Sequence, residues 1–290
     1  MALLGLTVAW NLTTDDTTIG LSPGARSLPW PTEGQASVEV QGLGSLGTSG
    51  EQKPVPIASV TKVMTAYVIL REHPLRGSDQ GPGITVDSSA ADGSTSPDES
   101  QVYLQEGQQL SERRLLELML IPSGNNIARL LARWDAGSQR AFVHKMNRAA
   151  EALGMHHTTY TGASGYEATT RSTAVDQLKL ARQVMKDKVF RTIVTKRTTK
   201  HPDTGETIHN TNTLLGHAGV IGLKTGSSTP AGGALLWAAT AQSSKRLILG
   251  VVLQQQAGTN PQRGLDAALA SSRELAEGVQ KHLAAQARAE

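Results

Sequence analysis

Apolar positions in this chain fall into two regimes. Over residues 36–40 (ASVEV) they alternate with polar ones, the period of a strand with one face covered. Gly42, Gly44, Gly47 and Gly50 then punctuate a hairpin-like return. Residues 60–70 (VTKVMTAYVIL) are apolar nearly all round, which predicts a helix buried in the core. After a Ser-, Asp- and Gly-rich excursion over 77–101, helical periodicity returns at 112–121 behind Ser111, a favoured N-cap, and stops at Pro122. Further helices are predicted over 126–134, 139–153 and 173–186, with a Gly-rich loop over 161–171. The pattern then reverts to strand-like runs at 220–226, 234–242 and 246–253, followed by a closing helix over 266–287.

Segregated strands and helices argue for an α+β fold rather than alternating βαβ units. The two ends of the chain are expected to share one antiparallel sheet flanked by helices, and the middle to form an all-helical lobe. The predicted domain is 35–290, with a sheet lobe at 35–75 and 190–290 and a helical lobe at 76–189. Residues 1–34 read as a separate N-terminal segment. Its first ten residues (MALLGLTVAW) are apolar, too few to span a bilayer and without the basic start of a signal peptide. They read as the remnant of a membrane anchor, and 11–35, rich in Thr, Gly and Pro, as a linker.

Composition narrows the function classes. The 290 residues are 38% apolar, enough for a sizeable core. The absence of cysteine excludes disulfides, thiolate metal sites and cysteine nucleophiles. A net charge of +3 with 3% aromatics argues against a nucleic-acid surface. The densest basic stretch, 186–200, is either a solvated face or a contact for an anionic cell-wall polymer. No H-E-x-x-H pattern is present, and neither a metal nor a cofactor is expected.

Three short motifs carry the chemistry: Ser59-Val60-Thr61-Lys62, Ser123-Gly124-Asn125 and Lys224-Thr225-Gly226. Ser59 stands where the buried helix begins, and the free N–H groups there suit a nucleophile whose attack creates an oxyanion. Lys62, three residues on, shares its helix face and can reach the hydroxyl. An apolar setting lowers its proton affinity, as a base requires. Ser123 and Asn125 occupy a tight turn from which both side chains can enter one cleft. On the strand ending at Lys224, alternation predicts Lys224 and Gly226 on one face and Thr225 and Ser227 on the other, with Gly226 leaving room for a substrate backbone.

With these motifs in this order, the chain resembles the low-molecular-mass penicillin-binding proteins, the serine-type D-Ala-D-Ala carboxypeptidases of the β-lactamase/transpeptidase-like fold. The likeness extends to Ile57–Ala66, Leu115–Asn126, Ser172-Thr173-Ala174, Asn210-Thr211-Asn212 and Gly222–Gly226. The resemblance implies acylation of Ser59 by the penultimate D-Ala carbonyl of a peptidoglycan stem peptide, with Lys62 taking the proton and Ser123 passing one to the leaving amine. It assigns Asn125 to the substrate amide, Lys224, Thr225 and Ser227 to the terminal carboxylate, and the N–H groups of Ser59 and Ser227 to an oxyanion hole. It also implies covalent inhibition by β-lactams and a monomer at the cell surface, outside the cytoplasm, anchored by an N-terminal segment mostly outside this chain.

One position departs. Many relatives carry Arg where this chain has Thr211, so weaker carboxylate recognition is expected, and transpeptidation stands beside hydrolysis as an alternative. A class A β-lactamase would need an E-x-x-L-N glutamate; Glu167 lies in that region but within G-Y-E-A-T-T. A non-catalytic module binding peptidoglycan or antibiotics is the remaining alternative.

Overall fold

The computed structural model describes residues 28–92 and 99–289. The anchor remnant and most of the linker lie outside the described residues. The N-terminal strands are β1 (Gln35–Val40) and β2 (Gly44–Ser49), with a short β3 (Val55–Pro56). A 3-10 turn, Ala58–Thr61, leads into α1 (Lys62–Glu72). The middle of the chain holds β4 (Gly83–Thr85), α2 (Ser88–Asp92), β5 (Gln109–Ser111), α3 (Glu112–Leu120), α4 (Asn125–Ala136) and α5 (Gln139–Ala152). Then come β6 (Arg171–Ser172), α6 (Ala174–Val184), α7 (Lys188–Val194), and the hairpin of β7 (Thr198–Lys200) and β8 (Thr207–His209). The chain returns through β9 (Val220–Ser228), β10 (Gly232–Thr240) and β11 (Leu247–Gln255) to α8 (Pro261–Ala289).

The expected α+β architecture is present. The two ends of the chain build one antiparallel sheet in the order β2-β1-β11-β10-β9. Helices cover both faces. On one side Leu235, Trp237, Ile248 and Val252 pack on the α8 stripe Leu275, Ala276, Val279 and Leu283, spaced as one helix face. On the other, Leu236, Ala238, Leu249 and Val251 join the core of the helical region. Strands buried on both faces read as continuous apolar runs, which is why β10 and β11 show no alternation. Trp237 lies flat on Gly250, where any Cβ would enter its indole ring.

Ser111 caps α3 as predicted, accepting from Arg114 N at 3.2 Å. Two stretches hold more structure than their composition suggested. The excursion contains α2 and β4, which pairs with β5 beyond it. The basic stretch contains α7, capped by Asp187 at 2.8 Å from Phe190 N, with Val189, Phe190, Ile193 and Val194 buried. The exposed cations of the stretch are Lys188 at the start of α7 and Lys186, Arg197 and Lys200 outside it. A seven-residue helix leaves too short a period to show among the surrounding lysines. Among the described residues no helix is long and apolar enough to cross a membrane.

Glu112, at the first turn of α3, is fully buried with neither carboxylate oxygen hydrogen-bonded. Burial, reinforced by Asp79, pushes its pKa up to about 7. The folded state therefore holds this proton more tightly than the unfolded chain. Its contribution is fully present below the unfolded value near 4.5 and is lost as pH rises towards 7. Glu112→Gln is expected to raise stability at pH 8 by about 1–3 kcal/mol, with the gain shrinking towards pH 4.5. Thermal unfolding of both proteins across this range measures it.

Candidate active site

The cleft is assembled from four segments: the 3-10 turn and start of α1, the turn between α3 and α4, the loop over 161–171, and the edge strand β9. Lys62 sits at the centre with no solvent exposure. Its Nζ lies 2.8 Å from Ser59 Oγ, 2.5 Å from Asn125 Oδ1 and 2.8 Å from the Ser164 carbonyl oxygen. Thr65 Oγ1 donates to Ala163 O at 2.7 Å and pins the same loop beneath α1.

Burial, together with the cations of Lys224 and Arg129, drives the Lys62 pKa well below its ordinary value; Glu99 and Glu167 oppose that fall. The contact geometry shows where the lone pair of the neutral amine goes. Asn125 Oδ1 and the Ser164 carbonyl can only accept, so they take its two N–H groups. Ser59 is the one partner able to donate. Deprotonated Lys62 thus satisfies all three contacts with its lone pair directed at the Ser59 hydroxyl. The arrangement can take a proton from Ser59 as its oxygen attacks an acyl carbon.

Two non-glycine residues beside the chemistry adopt left-handed backbone: Ala58 (φ 45°), immediately before Ser59, and Ser123 (φ 72°). Each conformation costs about 1–3 kcal/mol and persists because the surroundings hold it. Ser123 is 4% exposed and its Oγ has no hydrogen-bond partner. Asn125 opens α4, one residue earlier than the periodicity indicated, and its N–H donates to Ser100 O at 2.8 Å. Half-buried Ser59 and buried Asn125 line a cleft of about 290 Å³ with Tyr166, Ser227 and Thr229.

On β9, Lys224 is 1% exposed and Thr225 3%. Simple alternation would bury one and expose the other. As the edge strand, β9 packs its free side against the turn carrying Ser59, so both are covered. Burial lowers the Lys224 pKa to about 7. Its Nζ donates to Thr225 O at 3.1 Å. Thr225 Oγ1 meets Thr211 Oγ1 at 2.5 Å. Asn210 and Asn212 hold that loop, each side-chain oxygen accepting from the backbone two residues on. Gly226 makes room for the chain itself: a Cβ there would lie 2.8 Å from Ile57 O and 3.1 Å from the Ser59 and Val60 nitrogens.

Two residues at this site stand outside the three motifs. Glu99 accepts from Asn125 Nδ2 at 3.0 Å and pairs with Arg129. Nothing in local sequence marks Glu99, whereas Arg129 could be noticed as the residue one helical turn beyond Asn125. Glu167 lies against Gly162 and is not among the residues lining the cleft.

Residues 45–257 match the family model described as D-alanyl-D-alanine carboxypeptidase. The chain belongs to that family. A D-alanyl-D-alanine carboxypeptidase of Streptomyces sp. (strain K15) is 35% identical over 211 residues, 67% of this chain and 71% of that protein. The carboxypeptidase DacD of Escherichia coli is 33% identical over 203 residues, 68% of this chain but about half (51%) of that one. Among solved structures, the Streptomyces K15 DD-transpeptidase superposes with a TM-score of 0.73 at 30% identity, covering 86% of this chain and 96% of that one. Penicillin binding protein 6B of Escherichia coli gives 0.70 at 28%, covering 83% and 78%. These matches set the chain among the serine-type D-alanyl-D-alanine carboxypeptidases.

Gly226→Ala tests the close approach of β9 to the turn. The variant is expected to fold, while its labelling by a fluorescent penicillin slows by about 10²-fold, the loss typical of misplaced reacting groups. Labelling at the wild-type rate would show that the contact is dispensable.

Proposed function

We propose that the chain cleaves the terminal D-Ala from peptidoglycan stem peptides through an acyl-enzyme on Ser59. The observation that carries the reading is the Lys62 contact set, in which only Ser59 can supply a proton to a buried, weakly basic amine. The Ser59 proton passes to Lys62 Nζ as Oγ bonds to the penultimate D-Ala carbonyl carbon. The C–N bond to the terminal D-Ala breaks, and its amine takes a proton by way of Ser123, whose unpartnered Oγ is available for that contact. The N–H groups of Ser59 and Ser227 face the developing oxyanion. Lys224, Thr225 and Ser227 receive the terminal carboxylate. Water then hydrolyses the ester and restores Ser59. Residues 35–290 act in this reading as one transpeptidase-like domain, outside the cytoplasm at the cell surface.

The same acyl-enzyme can pass to an amine instead of water. That second reading is favoured by the likeness to a DD-transpeptidase of Streptomyces K15 and by the Thr at position 211. The lack of an E-x-x-L-N motif, with Glu167 standing in G-Y-E-A-T-T and packed against Gly162, supports slow hydrolysis of a penicilloyl adduct and argues against a class A β-lactamase.

Benzylpenicillin is expected to add one penicilloyl mass to the intact protein, with the adduct lost in Ser59→Ala. Lys62→Ala is expected to slow acylation by about 10²–10⁴-fold, the worth of a positioned proton acceptor. An adduct of equal yield in Ser59→Ala would falsify the assignment.

Thr211 supplies a neutral hydroxyl where an Arg would supply two charged donors. Lys224 is cationic below about pH 7 and loses that charge above it. An Arg remains charged throughout. Thr211→Arg is therefore expected to raise kcat/KM for a D-Ala-D-Ala peptide about tenfold, from the gap between charged and neutral hydrogen bonds. The gain should be larger above pH 7 than below it. Steady-state carboxypeptidase kinetics across pH measure it, and an unchanged or lower kcat/KM would remove position 211 from carboxylate recognition.

A further inference from the structure

The Asn125 amide is held from both ends. Its Oδ1 receives Lys62 Nζ at 2.5 Å and its Nδ2 donates to Glu99 Oε1 at 3.0 Å. With its lone pair directed at Ser59, Lys62 Nζ can only donate towards Asn125, and an ionised carboxylate can only accept, so the two contacts dictate the same orientation of the amide. The Glu99 side chain is 2% exposed. A carboxylate so buried stays ionised only with a close cation, and Arg129 is that cation. Arg129 lies four residues beyond Asn125 on α4, on the same helix face. Its guanidinium also sits 5.8 Å from the centre of the Tyr166 ring, a wall of the cleft. A chain of contacts thus runs from the cleft wall through Arg129, Glu99 and Asn125 to Lys62 and Ser59.

We propose that Glu99, clamped by Arg129, is a positioning residue for acyl transfer: it locks the Asn125 amide so that Oδ1 holds Lys62 Nζ on the Ser59 hydroxyl. The inference rests on the reading of Ser59 as nucleophile and Lys62 as base. It also explains what remains for substrate. Glu99 occupies one of the two Nδ2 hydrogens and leaves the other for a substrate carbonyl in the cleft.

Glu99 has a second effect, through its charge. Four charged groups face Lys62: Lys224 from β9, Arg129 from α4, Glu99 from the segment before α3, and Glu167 from the loop over 161–171. Of the two that favour the protonated amine, Glu99 acts more strongly than Glu167. Removing its charge lowers the proton affinity of Lys62. The acidic limb of the acylation rate, where Lys62 must lose its proton to act, then moves to lower pH. A residue that merely stabilised the fold would leave that limb in place.

The test is the second-order rate of benzylpenicillin acylation across pH for the full chain, Glu99→Gln, Glu99→Ala and Ser59→Ala. Glu99→Ala loses both acceptor and charge. Its plateau rate is expected to fall by about 10- to 10²-fold, the scale of a misplaced catalytic group, and its acidic limb to move to lower pH. Glu99→Gln keeps an acceptor of the same reach. It should recover part of the plateau while showing the same limb shift. A limb in Glu99→Gln that coincides with the wild type, or a folded Glu99→Ala acylating within about twofold of it, overturns the proposal. If Glu99→Ala does not fold, the limb in the near-isosteric Glu99→Gln decides alone. Adduct formation in Ser59→Ala would instead overturn the functional reading beneath it, so the two failures are distinguishable.

Discussion

A lysine nitrogen shut away from water needs three partners, and supplying them shapes the centre of this molecule. The partners of Lys62 come from three separate segments: the turn before α1, the first residue of α4, and the loop over 161–171. None of these can shift without leaving a buried polar atom unsatisfied, at a cost of about 1–3 kcal/mol. The helical core that packs α1 against α3, α4, α5 and α6 therefore also holds the catalytic geometry. Desolvation is the source of the chemistry as well. The burial that demands three partners is what lowers the proton affinity of the amine.

A second constraint comes from the sheet. β9 is an edge strand, and in place of a sixth strand it meets the turn carrying Ser59. Gly226 permits backbone to touch backbone there. This contact brings Lys224 and Thr225 under cover and sets two lysines in one dry space. Their mutual repulsion is part of why Lys62 is a weak base. Below about pH 7 the arrangement also keeps a cationic Lys224 beside Thr225, at the position proposed to receive a terminal carboxylate.

The left-handed conformations of Ala58 and Ser123 belong to the same picture. Each lies between an apolar element and a reactive side chain. The core on either side leaves the chain no relaxed route, so the local strain is offset by burial of Val60, Val63 and Met64 in one case and of Leu118, Ile121 and Ile127 in the other. Ile121 O also accepts from Thr211 N at 3.3 Å, tying the Ser123 turn to the loop beside Thr225.

Much of this was legible in the chain. Apolar runs at 234–241 and 247–253 marked strands buried on both faces. Alternation at 36–40 marked β1, although its polar positions Ser37 and Glu39 are buried as well, not exposed as one covered face would leave them. The buried helix after Ser59, the Ser111 cap and the stop at Pro122 are local effects, decided by neighbours within a turn. Ser59 and Lys62 share a helix face for the same reason. Other features depend on contacts between residues far apart in sequence. Glu99 meets Asn125 across 26 positions, and Ser164 meets Lys62 across 102. Local periodicity cannot encode such pairings. The covering of both Lys224 and Thr225 follows from β9 lying at the sheet edge against another segment, a fact of topology. The sequence by itself determined which side chains are candidates for the chemistry and which elements bear them. Tertiary structure decided their protonation and aim, because proton affinity and orientation depend on what surrounds a group, and those surroundings come from every part of the fold.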